Sequence, residues 1–393
     1  MIATISREIT AARREFKTPI YLGGELVTSE LPTRANPNHP LQRSSRRPFK
    51  SLLRLNDGLE LAGYCNIKCF DHSGELLWFA DSGAPINFLH VDPDDNLYVT
   101  SSGSWISYPN TFSQINILTK YNSAGEVAWA IPAQKIASGF SFYTEQAMGV
   151  GTNSNGDVYL AWQSVFNDPT QNRGKIYKYD SEGNFLTSFQ INGFLDIRAN
   201  RLRVGPSDEV VVQRGSGSGT GGGIVRFEGD VYDWETSSSS LTQPSGTVSW
   251  AGLGIDGSGN IFAGGAKAHP TLSSTIFQRL SSVPVLLNTY LSNTSGDIRG
   301  LALSGSVALV TGGLTTAHTI SKASGTCIGA NSSGDYATTH PVSGPADRVK
   351  FFNSSDVLQW EDPWGGSINL GNNIRDVAVT SDRVYVAGTR FRF

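Results

Sequence analysis

One stretch of polar-turn grammar recurs along this chain, and that recurrence limits what it can fold into more than any other feature. Phe88-Leu-His-Val-Asp-Pro-Asp-Asp-Asn-Leu-Tyr-Val-Thr100 is followed by Ile117-Leu-Thr-Lys-Tyr-Asn-Ser-Ala-Gly-Glu-Val-Ala-Trp129. Met148-Gly-Val-Gly-Thr-Asn-Ser-Asn-Gly-Asp-Val-Tyr-Leu160 is followed by Ile176-Tyr-Lys-Tyr-Asp-Ser-Glu-Gly-Asn-Phe-Leu186. Each copy runs apolar strand, Asp/Asn/Gly turn, aromatic strand, variable connection, a strand ending like Lys-Tyr-Asp, turn, last strand. Looser copies begin near Leu202, Leu253 and Leu301, and the chain ends on Val377-Ala-Val-Thr-Ser-Asp-Arg-Val-Tyr-Val386. Asp, Asn and Gly accept the positive φ of tight hairpins or bond their own backbone. Val, Ile, Tyr, Phe and Trp fit a pleated, packed surface.

A repeat of this length means stacked units, since one small sheet cannot bury both of its faces. Packing sheet on sheet does so, and closing the stack into a ring leaves only short, protected edges. The expected fold is therefore all-β: a β-propeller of seven four-stranded blades, or six, with an extended N-terminal arm. The 43 glycines and the 17% of charged residues fit many short strands joined by tight turns.

In the seven-blade reading, residues 50–82 form a complete first blade, and five more start near Phe88, Met148, Leu202, Leu253 and Leu301. The C-terminal piece, residues 376–393, then needs a partner strand, which Ile20-Tyr-Leu-Gly-Gly-Glu-Leu-Val27 supplies. In the six-blade reading, Val377–Val379 and the residues from Arg383 onward close the ring with Ile67–Asp71 and residues 75–80. Residues 1–49 read as a basic arm and Pro-rich linker, and residues 50–393 as the propeller.

Ile176-Tyr-Lys-Tyr-Asp-Ser-Glu-Gly-Asn-Phe-Leu and Asn260-Ile-Phe-Ala-Gly resemble blades of bacterial NHL-type propellers. Residues 58–78, ending Asp71-His-Ser-Gly-Glu-Leu-Leu-Trp78, look more like a PQQ-type blade. The resemblance covers roughly residues 50–393 and implies architecture. These families include binding modules, scaffolds and enzymes alike.

No catalytic constellation is visible. The six histidines (His39, His72, His90, His269, His318, His340) include no close pair suited to zinc, and there is no HExxH or GxSxG. Gly215-Ser-Gly-Ser-Gly-Thr-Gly-Gly-Gly223 lacks the Lys-Ser/Thr of a phosphate loop and reads as a hairpin. Asp92-Pro-Asp-Asp-Asn96 shares residues with a calcium loop, but a strand follows at once, so a self-bonded turn is the better reading. Cys65 and Cys69 could ligate a metal in principle; lacking a second pair, they read as ordinary thiols, as does Cys327. The expectation is a chain without metal or other cofactor, and not an enzyme.

Charge is uneven. Residues 1–50 carry nine Lys/Arg against four Asp/Glu, while the whole chain is at −3. A basic arm on an acidic body implies docking, so Arg13, Arg14, Arg43, Arg46 and Arg47 are candidate contacts. The long connections at residues 101–114, 165–174 and 311–348 mix Ser, Thr, Asn and Gly with aromatics, and Trp105, Tyr108 and Phe112 join the candidates. The N-terminus lacks the apolar core of a signal peptide, and no stretch is long and apolar enough to span a membrane. The functional expectation is a structural component of a phage virion, docked through its arm onto virion proteins or copies of itself. The alternatives are a carbohydrate- or receptor-binding propeller, a quinone-cofactor dehydrogenase and, for location, the cytoplasm. Glycans are possible partners; nucleic acid and membrane are not expected.

Overall fold

A computed structural model describes two-residue strands at Tyr21–Leu22 and Glu25–Leu26 and, from Tyr64 to Arg392, the strands with their tight turns. In numbers these are residues 64–80, 82, 86–106, 116–132, 142–166, 173–190, 202–214, 223–237, 247–268, 274–281, 286–292, 298, 300–311, 316–317, 319–322, 327–340, 348–363 and 374–392.

From Tyr64 onward the strands group into seven blades. Blade I combines the two ends of this span: Ile374–Val379, Arg383–Arg392, Tyr64–Asp71 and Leu76–Ala80. Blade II is Ile86–Val91, Leu97–Ile106, Asn116–Tyr121 and Val127–Pro132; blade III is Phe142–Thr152, Val158–Phe166, Arg173–Tyr179 and Phe185–Gln190. Blade IV is Leu202–Val204, Glu209–Arg214, Gly223–Glu228 and Val231–Ser237; blade V is Thr247–Ile255, Ile261–Ala268, Ser274–Leu280 and Leu286–Ser292. Blade VI shows Gly300–Ser304, Val307–Thr311 and Thr319–Lys322, the last two pairing in parallel. Blade VII is Ile328–Ala330, Tyr336–His340, Arg348–Phe352 and Leu358–Pro363. The first strand of each blade touches the first strand of the next, and that of blade VII meets that of blade I. The chain is a closed, seven-bladed, all-β propeller.

Two details of the sequence reading change. The ring closes with the four strands proposed for six blades, and Tyr21–Leu22 pairs with Glu25–Leu26 instead of entering blade I. The first two strands of blade VII lie in the supposed connection 311–348. There Asn331-Ser-Ser-Gly-Asp335 repeats the turn of Asn153-Ser-Asn-Gly-Asp157, so blade VII begins before Val349.

The turns share one chemistry. In eight of them the leading Asp or Asn accepts, through Oδ1, the N–H groups two and four residues on: Asp71, Asp92, Asn122, Asn153, Asp180, Asp256, Asn331 and Asn353. Asp92 is fully engaged this way: its carboxylate also accepts from the Asn96 amide and, at 3.1 Å, from the Tyr98 hydroxyl. All these turns join first to second or third to fourth strands, so they lie at one end of the ring. The longer connections all leave from the other end.

The core is a circle of seams between blades. Tyr98, Leu118, Trp129, Val150 and Leu160 fill the seam between II and III; Ile67, Trp78, Leu97, Val99 and Tyr385 fill the one between I and II. Within blades, a cation on the third strand lies over a ring on the second. Lys120 sits 5.3 Å from the Tyr98 centroid, Lys178 5.2 Å from Tyr159 and Arg279 5.6 Å from Phe262. Each is a direct cross-strand pair. In blade I the cation's place opposite Tyr385 is taken by Cys69, whose thiol burial pushes up to about 12.

Tryptophans tie three consecutive seams. Trp78 lies on Gly125 of the next blade, Trp129 on Gly183 and Trp360 on Gly74; a Cβ on these glycines would meet the indole at 2.5–2.8 Å. Each indole N–H donates to a turn carbonyl beside that glycine: Ser123 at 3.1 Å, Ser181 at 2.8 Å and His72 at 3.2 Å. These seams run VII–I, I–II and II–III, so the blade made from both chain ends is clamped on both sides.

Candidate functional site

Three strands outgrow their blades at the end opposite the tight turns. Leu97–Ile106 is 10 residues, Phe142–Thr152 is 11 and Val158–Phe166 is 9. Up to Ser101 the first of these pairs inside blade II; from Ser102 it pairs with the opening strand of blade III, Ser102 opposite Gln146. The two blades thereby become one eight-stranded sheet. Its outer part is a ribbon projecting toward the long connections.

The register of this ribbon brings together residues far apart in sequence. Trp105 stands opposite Tyr143, and Tyr143 opposite Phe166. Paired residues share a face of the sheet, with Cβ atoms about 5 Å apart. Two positions along, hence on the same face, Gly103 is opposite Glu145, Glu145 opposite Ser164 and Ser164 opposite Arg173. By backbone register, then, Trp105, Tyr143 and Phe166 stand in one row across three strands, and Glu145 and Arg173 stand in the row two positions along.

Of the candidate residues named from sequence, Trp105 lies in this ribbon. Arg13, Arg14, Arg43, Arg46, Arg47, Tyr108 and Phe112 lie outside the described residues. Tyr143, Phe166, Glu145 and Arg173 were not foreseen. Residues 101–106 and 165–166 were expected to be connection and are strand instead: from Ser102 the first segment pairs with the opening strand of blade III, and residues 165–166 prolong the pairing of that same strand within blade III.

A polar cluster sits at the other end of the same seam. His90 Nε2 lies 2.9 Å from Thr152 Oγ1 of blade III, and its ring is 5.9 Å from that of Tyr98. Burial pushes the imidazole down to about 4; the charge of Arg203 adds to this and Asp92 opposes it. An imidazole in the unfolded chain titrates near about 6.5. Between these values the unfolded chain takes up a proton that the folded one refuses, so stability present at neutral pH is lost as pH falls through the window. The contribution is on the order of 2–3 kcal/mol. Urea midpoints at pH 7 and 4.5 are expected to differ less in His90→Gln than in the unaltered chain; equal differences would show that His90 is not the group responsible.

Among the described residues no group of three His, Cys, Asp or Glu is placed to hold a metal, and no helix is long and apolar enough to cross a membrane.

No protein-family model matches the chain, and no curated protein sequence matches it. Solved structures similar to it include the β-propeller domain of the Trilobed protease from Pyrococcus furiosus, at 10% identity and TM-score 0.46, covering 78% of this chain and 90% of that one. A glucose dehydrogenase is similar at 13% identity and TM-score 0.40, covering 78% and 97%. A protein named as a putative gluconolactonase is similar at 8% identity and TM-score 0.39, covering 83% and 94%. The propeller itself rests on the strand pairings described above.

The virion expectation is corrected at this point. These similar structures are a protease's propeller and proteins named for enzymes, and none of them is a virion component. Part of the chain's Ser, Asn and Gly content has a local cause, since it builds the self-bonded turns described above.

Proposed function

We propose that the chain is a binding module without catalytic activity, whose contact surface is the ribbon joining blades II and III. Its partner presents flat ring faces with polar edges, the chemistry of a glycan. The row Trp105–Tyr143–Phe166 supports this reading. Aromatic side chains offer wide, rigid area to the C–H face of a sugar ring, and a carboxylate with a guanidinium one row away suits paired hydroxyls. Calorimetry with glycans selected on an array tests it. Trp105→Ala and Phe166→Ala are each expected to weaken binding by about 1–2 kcal/mol, roughly 5–30-fold, with the melting temperature little changed. Absence of glycan binding by the folded chain, or full affinity in Trp105→Ala, would overturn the proposal.

A second reading, contact between copies of the chain, is favoured by the outer strands. Phe185, Leu186, Val231 and Tyr232 stand on the neighbouring blades III and IV, 38–69% exposed. Large apolar side chains left exposed on outer strands favour association. Sedimentation velocity is expected to show self-association that Val231→Glu abolishes; a monomer at every concentration removes this reading.

A further inference from the structure

We infer that the seam between blades IV and V encloses ordered water, held by Gln213, Trp234, Thr236 and Gln278. On blade IV, Gln213 is opposite Ile224, and Ile224 opposite Thr236; one row along, Val211, Arg226 and Trp234 form the next set. On blade V, Leu253 is opposite Ala263, and Ala263 opposite Gln278. Val211, Ile224 and Trp234 pack with Leu253, Ala263 and Leu280 in one core cluster. The two faces therefore meet, and the four polar side chains are enclosed between them. Gln213 and Gln278 have no exposed surface, Thr236 has 7% and Trp234 8%.

Among the described residues their hydrogen-bonding capacity is largely unspent. Gln213 Nε2 donates to the Gly252 carbonyl across the seam at 2.7 Å. Gln213 Oε1, Trp234 Nε1, Thr236 Oγ1 and both amide atoms of Gln278 have no partner among the described residues. A buried polar atom left unmade costs about 1–3 kcal/mol, so five in one seam would be a heavy burden on a stable fold. The contrast with other seams is direct. The indoles of Trp78, Trp129 and Trp360 each reach a carbonyl of the next blade, and that of Trp234 reaches none among the described residues.

The chemistry of the five atoms selects the guest. Trp234 Nε1 and Gln278 Nε2 donate, Gln213 Oε1 and Gln278 Oε1 accept, and Thr236 Oγ1 does both. A cation would serve only the acceptors and an anion only the donors. Water gives and takes in one molecule, and buried waters typically make about three such bonds.

Deuteron or oxygen-17 magnetic relaxation dispersion, which reads long-lived internal water, tests this on the full chain. Gln278→Met, similar in volume and unable to hold water, is expected to lose part of the dispersion amplitude and to lower the melting temperature. Thr236→Val, the second variant should Gln278→Met fail to fold, is expected to lose amplitude as well. Unchanged amplitude in a folded variant would overturn the inference. So would a higher melting temperature in Gln278→Met, the mark of a dry seam relieved of an unpaired amide.

Discussion

Removing residues 383–393 is expected to abolish the cooperative folding of the whole ring instead of fraying one blade. The strand Arg383–Arg392 is an interior strand of blade I, paired on one side with Ile374–Val379 and on the other with Tyr64–Asp71. Its side chains feed two seams. Val384 and Val386 enter the VII–I core and Tyr385 and Ala387 the I–II core, all four without exposed surface. Burying the two valines and the tyrosine contributes about 1.5–3 kcal/mol each, before the lost hydrogen-bond ladders are counted. That loss rivals the total stability of a typical domain, about 5–15 kcal/mol. Circular dichroism during heating should show no sigmoidal transition, and gel filtration should show an expanded or aggregated species. A truncated chain that elutes and melts like the intact one would contradict the closure described here.

The next largest expected effect comes from Trp78→Ala. The indole is 7% exposed and lies 6.1 Å from the Tyr121 ring and 6.0 Å from that of Tyr385, while its N–H holds Ser123 of the next blade. Emptying such a site costs about 3–5 kcal/mol, read as a fall in the urea midpoint at constant slope. Gly125 supplies an internal check. It sits at φ +77° with the Trp78 ring 2.5 Å from where a Cβ would be. Gly125→Ala alone combines a left-handed alanine, costing about 1–2 kcal/mol, with a collision. Once Trp78 is alanine the collision is gone. The two losses should therefore sum to more than the double variant shows, and strict additivity would refute the contact between them.

Much of this architecture is written locally. The motif at Asn122–Glu126 spells its own turn, because an Asn, a glycine three residues on and two nearby N–H groups suffice to build it. The same logic makes Lys-Tyr-Asp at 178–180 readable, since cation, ring partner and turn follow in order. What was misread depended on partners. Ile328–Ala330 is three residues long, too short to announce a strand, so the first two strands of blade VII were taken as part of a connection and its last two as the end of the copy that begins near Leu301. The closing sheet was offered two ways, because nothing near Tyr64 states that its neighbour is Arg392. The aromatic row was hidden for a related reason. Trp105 drew notice as an aromatic in a polar stretch, but its alignment with Tyr143 and Phe166 needs a change of partner at Ser102. It also needs the bulge at Ala161/Trp162, which shifts the register by one. A one-residue slip would send the row to the opposite face.

The make-up of blade I also sets an order of events during synthesis. Tyr64–Asp71 and Leu76–Ala80 leave the ribosome early as a bare hairpin, and an isolated hairpin is marginal in water. Its remaining two strands are made only after six other blades have been translated. Until Arg383–Arg392 emerges, the early hairpin keeps an unpaired edge and the half-built ring exposes apolar faces at both ends. Such surfaces invite pairing with other nascent chains. Final closure joins residues from nearly opposite ends of the sequence, a search that slows folding. The demand on chaperones should therefore be greatest late, in the interval between the completion of blade VII and the release of the last strand.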